Sequence, residues 1–218
     1  MRRIGLAINR WTKFVLSVAT VFFMMTSSPS SVAAGEEATE AVQGTIANVI
    51  RVLDDERLKG PEKTEQRRHE IEEIIRQRVD YEEMAKRTLA TQWLSLTQHE
   101  QREFVDLFVQ LLRDTFAGRI SDRSDEQVLY LGEQQEDGFA EVKTQLKGRK
   151  IDTPIDFRLI HRSGDWRVYD VVIDGASIVS NYRSQFTTII RDVSYGGLVK
   201  QMRQKAVALK VFEKMPAQ

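Results

Sequence analysis

The chain has 218 residues, with 32 basic and 32 acidic side chains, a formal net charge of zero and no cysteine. That balance lacks the basic footprint nucleic-acid binding requires, and the missing thiols exclude disulfide staples and thiolate metal sites. Less a leader, the length fits a single core of about 100 to 200 residues.

Residues 1–34 have the three parts of a secretory signal. Arg2, Arg3, Arg10 and Lys13 give a basic start, residues 14–25 a short apolar run, and Val32-Ala33-Ala34 a small-residue cleavage site before Gly35. The run falls short of the roughly 20 residues a bilayer span needs. Removing these 34 of 218 residues leaves 184 as one domain, 35–218, with 28 basic against 32 acidic side chains and a periplasm-like address.

From Glu36 to Leu58, Ala41, Ile46, Val49, Ile50, Val52 and Leu53 recur at helical spacing until Lys59-Gly60-Pro61 ends the pattern. A heavily charged second helix is expected from Pro61, with Ile71, Ile74, Ile75 and Val79 on one side and solvated ions on the other. Residues 79–97 bring Tyr81, Met84, Ala85, Leu89 and Trp93 onto one side of a third helix. Thr97, with Glu100 three residues on, is a capping box opening a fourth, which carries Phe104, Phe108, Leu111 and Leu112 and runs to Phe116.

After Gly118 the period changes from helical to alternating. Strands are expected over 128–134 and around 140–146, 155–159 and 165–173, turning at Asp137-Gly138, Gly148 and Ser163-Gly164, which makes an antiparallel meander of four. In the last strand Trp166, Val168 and Val172 point one way and Tyr169, Val171 and Ile173 the other, so both faces are apolar and the strand is interior. It turns at Asp174-Gly175 into a helix with Ile178, Val179, Tyr182, Phe186, Ile189 and Ile190 in one stripe. A break at Gly196-Gly197 and a final helix with Leu198, Met202, Val207 and Leu209 complete the chain. Helices covering a sheet make the fold class α+β.

No catalytic set is visible. His69 and His99 lie in charged helices without completing H-E-x-x-H, and His161 sits at a strand end. Ser177 lacks the second glycine and the later histidine of a nucleophile elbow, and reads as the first turn of a helix capped by Asp174. Asp170 falls on the Val168 face, where burial demands a partner such as an arginine, or else makes it an acid in a pocket. No metal site, cofactor motif or phosphate-binding glycine loop is expected, and no enzymatic activity.

Three stretches, VDYEEMAKRTLATQW, LTQHEQREFVDLFVQLLRDTF and WRVYDVVIDGASIVSNYRSQF, resemble the MlaC family of toluene-tolerance proteins between Val79 and Ile190. Leu89-Ala90-Thr91 departs from the family pattern, which leads one to expect a glycine after the leucine. The resemblance implies helices packed on a curved four-stranded antiparallel sheet, similar to nuclear-transport-factor-like (NTF2-like) domains, enclosing an apolar cavity for acyl chains. It further implies a monomeric periplasmic phospholipid carrier, without a cofactor. Such a carrier exchanges its ligand with an outer-membrane lipoprotein-porin complex and an inner-membrane ABC transporter complex, and so maintains outer-membrane lipid asymmetry.

A carrier of this kind must enclose the acyl chains. At about 0.8 kcal/mol per methylene hidden from water, roughly 30 methylenes represent about 25 kcal/mol, more than a shallow groove recovers. On this reading Met84, Leu89, Phe104, Phe108, Leu111, Leu112, Tyr169, Val171, Ile173, Ile178, Tyr182 and Phe186 line the cavity, with Arg183 near the head group. Two other classes fit the same residues. One is an isomerase or hydratase using Asp170 and Tyr169 as an acid-base pair; the other is an adaptor docking on a membrane complex through the charged helices at 62–78 and 200–210.

Overall fold

The computed structural model describes residues 33–116, 127–148 and 151–204, with side chains from Ala38 onward. Residues 1–32 of the expected signal, the segment following Phe116 up to Glu126, and Val207 and Leu209 of the expected final helix lie outside the described residues. The elements are α1 (Ala33–Asp54), short 3-10 turns at Glu56–Leu58 and Pro61–Lys63, α2 (Thr64–Arg78), α3 (Tyr81–Leu89), a 3-10 segment at Ala90–Ser95, and α4 (Gln98–Phe116). They are followed by β1 (Gln127–Glu136), β2 (Phe139–Lys147), β3 (Thr153–Arg162), β4 (Asp165–Ile173), β5 (Ala176–Ser177) and α5 (Ile178–Arg203). The fold is α+β.

The sheet runs β1-β2-β3-β4-β5, each pair antiparallel. The expected meander of four strands thus gains a two-residue fifth, in which Ser177 opposes Val172 and Ala176 opposes Ile173. Three hairpins close on two-residue turns, Asp137-Gly138, Ser163-Gly164 and Asp174-Gly175, all with positive φ. Such turns match the twist of the strands they join, which is why the dipeptides were readable as turns.

The simple alternation expected of β4 is corrected by a bulge. Leu159 pairs with Val168 while its neighbour Arg158 pairs with Asp170, leaving Tyr169 as an extra residue. Directly opposed residues share a face. Val168, Val171 and Ile173 therefore stand together beside Leu159, Phe157 and Ile155, whereas Asp170 goes to the other face with Arg158 and Glu141. There Asp170 is 2% exposed. It accepts from Arg158 Nη1 at 3.3 Å, Ser177 Oγ at 2.6 Å and the Val179 amide at 3.0 Å. One carboxylate thus fixes β4, β3 and the start of α5.

Ser177, rather than Asp174, caps α5: its Oγ accepts from the Ser180 amide at 3.0 Å. The two residues of β5 move the helix start beyond the turn, out of reach of Asp174. The capping box of α4 is present, with the Thr97 amide and hydroxyl donating to Glu100 at 2.8 and 2.7 Å. The expected break at Gly196-Gly197 lies instead at Ser194 (φ 73°, ψ 170°), within an element that continues to Arg203. Ser194 Oγ accepts from the Gly197 amide at 3.5 Å, the geometry of a cap for the second segment.

Three apolar clusters hold the layers. Phe104 and Phe108 of α4 and Tyr182 and Phe186 of α5 are fully buried and centre the first, with Met84, Ala85 and Leu89 of α3. Ala38 and Val42 of α1 pack on Ala140, Val142, Leu159, Trp166 and Val168 of the sheet. Val52 and Leu53 of α1 meet Leu58 of the first 3-10 turn and Ile71 of α2 in a small third cluster. A buried carboxylate, Glu83, ties α3 to β3 by accepting from Arg87 and Arg162, each at 2.8 Å.

The third helix, expected to span 79–97, ends at Leu89 because Ala90 adopts φ 51°, ψ −123°. A Cβ is strained there and glycine is not. This is the position after Leu89 where the family pattern calls for glycine. Ala90→Gly is expected to raise stability by about 1 kcal/mol, read as a higher urea midpoint. Asp170→Ala, which strands the buried Val179 amide and removes one of the two carboxylates on Arg158, is expected to lower it by about 2 to 3 kcal/mol in the same titration.

Candidate ligand cavity

Helix α2 is the most charged of the described helices, yet one stripe of it roofs an apolar void. Thr64, Arg68, Glu72 and Arg76 form one row at intervals of four, and Arg67, Ile71, Ile75 and, just past the helix end, Val79 form a neighbouring one, the spacing that aligns side chains on one side of a helix. Opposite them stand Val109, Leu112, Arg113 and Phe116 of α4, and Tyr81 and Met84 of α3. Val168, Val171 and Ile173 of β4 and Ile178 of α5 form the floor. The cavity is about 300 Å³, within the range of small-molecule sites, about 300 to 1,000 Å³.

The β4 bulge keeps the floor dry. Without the extra residue, strict alternation would set Asp170 between Val168 and Val172 on one face. With it, three apolar side chains reach the void and the carboxylate is spent on the other face.

The rim is cationic. Arg68, Arg113 and Arg76 side chains are 42%, 42% and 63% exposed. Arg113 Nε reaches Glu72 Oε1 at 3.1 Å, joining α4 to α2 across the opening, and Arg76 lies 3.6 Å from Glu73. Arg68 pairs with Glu65. Arg67 Nη1 donates to the Leu58 carbonyl at 3.0 Å and has no carboxylate partner among the described residues. Burial pushes the Tyr81 phenol above its ordinary pKa of 10.0, against the pull of the Arg76 and Arg113 charges and with the push of Glu72. At neutral pH Tyr81 is therefore a hydroxyl donor, and it has no hydrogen-bond partner among the described residues.

Of the twelve residues expected to line a cavity, Met84, Leu112, Val171, Ile173 and Ile178 border this one. The other seven lie elsewhere. Phe104, Phe108, Tyr182 and Phe186 fill the space between α4 and α5 themselves, with ring centroids 5.3 Å apart for Phe108 and Tyr182 and 5.4 Å for Tyr182 and Phe186. Leu89 is buried in the same cluster and Leu111 packs against it. Tyr169 sits under the Arg87 guanidinium, 4.0 Å from its ring centroid, beside Phe139. Arg183 is away from the cavity, its Nε donating to the Arg87 carbonyl at 2.8 Å. An apolar helical stripe announces burial, but not whether it is burial against protein or against a void.

The α2 stripe escaped the sequence reading because its arginines counted as solvated ions. The signal was their phase: Arg67 and Arg68 fall four and three residues before Ile71 and eight and seven before Ile75, where an ordinary amphipathic helix puts its charges opposite. Asp170 and Tyr169, the pair an enzyme would use, do not line the cavity. His69, His99 and His161 are exposed. Among the described residues no group of His, Asp or Glu could hold a metal ion, and no helix is long and apolar enough to cross a membrane.

Residues 43–204 match the family model described as MlaC protein. The chain belongs to the MlaC family. A curated relative from Haemophilus influenzae, named intermembrane phospholipid transport system binding protein MlaC, is 21% identical over 134 residues. That stretch covers 59% of this MlaC-family chain and 63% of the relative, somewhat under two thirds of the latter's length. A phospholipid-binding protein from Ralstonia solanacearum, solved in complex with a phospholipid, shares the fold with a TM-score of 0.70 at 23% identity, covering 78% of this chain and 96% of that one.

The difference between filled core and cavity wall has a measurable signature. Phe108→Ala, in the packed aromatic cluster, is expected to cost about 3 to 5 kcal/mol in chemical denaturation, whereas Val171→Ala, whose methyls border existing space, should cost about 1 kcal/mol.

Proposed function

We propose that this MlaC-family chain is a phospholipid-binding carrier that takes acyl chains into the cavity between α2, α4 and β4. The observation that carries this reading is an apolar floor, made by Val168, Val171, Ile173 and Ile178, under a rim of arginines. Hydrocarbon inside and charge at the opening match an amphipathic ligand with an anionic group at its polar end. The names of the relatives, one a phospholipid transport binding protein and the other solved with a phospholipid, support the same ligand class.

The finer reading is that the mature domain, 35–218, is exported by its leader and works in the periplasm as the soluble component of an ABC-type lipid transport system. It shuttles phospholipid between an outer-membrane lipoprotein-porin complex and an inner-membrane transporter complex, preserving outer-membrane lipid asymmetry. Passage from bilayer to cavity replaces one apolar setting by another, so transfer needs no covalent step and no catalytic residue on this chain. Any nucleotide hydrolysis belongs to the partner.

Organic extraction of protein purified from cells, followed by mass spectrometry, is expected to yield phospholipid in near-stoichiometric amount. Ile173→Trp, which projects a larger side chain into the void, should sharply lower that yield while leaving a cooperative unfolding transition. Protein free of phospholipid in the wild-type preparation overturns the carrier reading; undiminished yield from Ile173→Trp removes this cavity as the site.

A further inference from the structure

The carrier reading needs only an apolar cavity; it does not explain what surrounds the opening. Four arginines, Arg67, Arg68, Arg76 and Arg113, border the same void with Glu72, and Glu65 and Glu73 pair with Arg68 and Arg76 beside it, which leaves the arginines one charge in excess. Three of the four lie on α2, which also supplies Ile71 and Ile75 to the lining, so cations and apolar side chains border the void from the same helix. Solvation alone gives no reason for this. A helix that merely shields a void from water can place its charges on its outer side.

Two donors there are underused. Arg67 spends one N–H on the Leu58 carbonyl and meets no carboxylate among the described residues. Tyr81 borders the cavity, and its hydroxyl meets no acceptor among the described residues. Arg76 pairs with Glu73 at 3.6 Å, with both side chains more than half exposed, and such pairs hold weakly and exchange readily. Arg113 is already fixed by Glu72 at 3.1 Å, which presents its remaining N–H groups in a set direction. A planar guanidinium fork matches two oxygens of a phosphate, and a neutral phenol adds a third donor.

Resting on the carrier reading, we propose that Arg67, Arg76, Arg113 and the Tyr81 hydroxyl form a phosphate-recognising subsite at the cavity mouth, which selects glycerophospholipids of net negative head-group charge. A lipid whose tails occupy the floor leaves its phosphodiester at the level of this rim. A phosphatidylglycerol head brings only negative charge to the arginines. A phosphatidylcholine head brings the same phosphate together with a quaternary cation that the arginines repel. The sign of the rim therefore sets a preference, and part of it is screened by salt.

The test is exchange against vesicles of equimolar phosphatidylglycerol and phosphatidylcholine, followed by re-purification and mass spectrometry of the bound lipid. At low salt the wild-type protein is expected to be enriched in phosphatidylglycerol about fivefold, the size of effect that one or two partly exposed charge contacts produce. The enrichment should shrink at high salt. Arg67→Gln with Arg76→Gln, and separately Tyr81→Phe, which keeps the ring and its packing, should bring the ratio toward one, while Arg67→Lys retains part of it. Arg102→Gln, which removes one positive charge at an exposed α4 position outside the cavity, should keep the wild-type ratio. Inorganic phosphate at matched ionic strength should produce no Arg67-dependent rise in melting temperature.

Lipid uptake by the wild type without preference, or a preference that survives the rim variants, overturns the subsite and leaves the carrier standing. Loss of preference in Arg102→Gln as well reduces the effect to net charge and equally overturns it. Arg67-dependent stabilisation by inorganic phosphate, without lipid selectivity, makes the rim a free-anion site instead. No uptake of either lipid by the wild type overturns the carrier reading itself.

Discussion

β4 must satisfy two demands that plain alternation sets against each other. It presents Val168, Val171 and Ile173 to a void, and it delivers the Asp170 carboxylate to the residues that start α5. The extra residue at Tyr169 reconciles them by shifting the phase of the strand once, between Val168 and Asp170. A charged oxygen on the floor of an apolar cavity would be desolvated without a partner, whereas on the other face it finds Arg158, Ser177 and the Val179 amide. Dry cavity and anchored helix are two results of the same irregularity.

Two kinds of interior are thereby kept apart. Between α4 and α5 the rings of Phe104, Phe108, Tyr182 and Phe186 pack edge to face and stacked until no space is left. Between α2 and β4 the side chains are shorter, mostly Val and Ile, and border a void. The first supplies rigidity at crystal-like density, and the second gives up dispersion contacts to keep room for a guest. Large aromatics in the frame and branched aliphatics around the void divide the work by side-chain size.

What the sequence disclosed depended on the range of the signal. The hairpins at Asp137-Gly138 and Ser163-Gly164 and the capping box at Thr97 and Glu100 rest on neighbouring residues and were readable. So was the amphipathic stripe from Ile178 to Phe186. The family resemblance rested on three long ordered stretches and carried the fold class with it. The register slip in β4 was not legible, because it exists only in relation to β3, and with it went the facing of Asp170 and of Val168 relative to Val171. The aromatic residues expected around the cavity were placed on the right helices, but periodicity cannot tell a filled interior from a hollow one. The roof provided by α2 was hidden because its few isoleucines sit among charges that, taken alone, describe a wet surface.

Helix α2 is gripped from two sides of unequal character. Toward α1 it shares the small cluster of Val52, Leu53, Leu58 and Ile71, while toward α4 it is joined by the half-exposed pair of Glu72 and Arg113. At its end Arg78 reaches Asp165 and the Trp166 carbonyl. The aromatic frame takes no part in any of these attachments. The molecule is thus built like a box whose lid is clamped at its ends and joined along its α4 edge by a half-wet ion pair, apart from the hull of aromatic rings beneath.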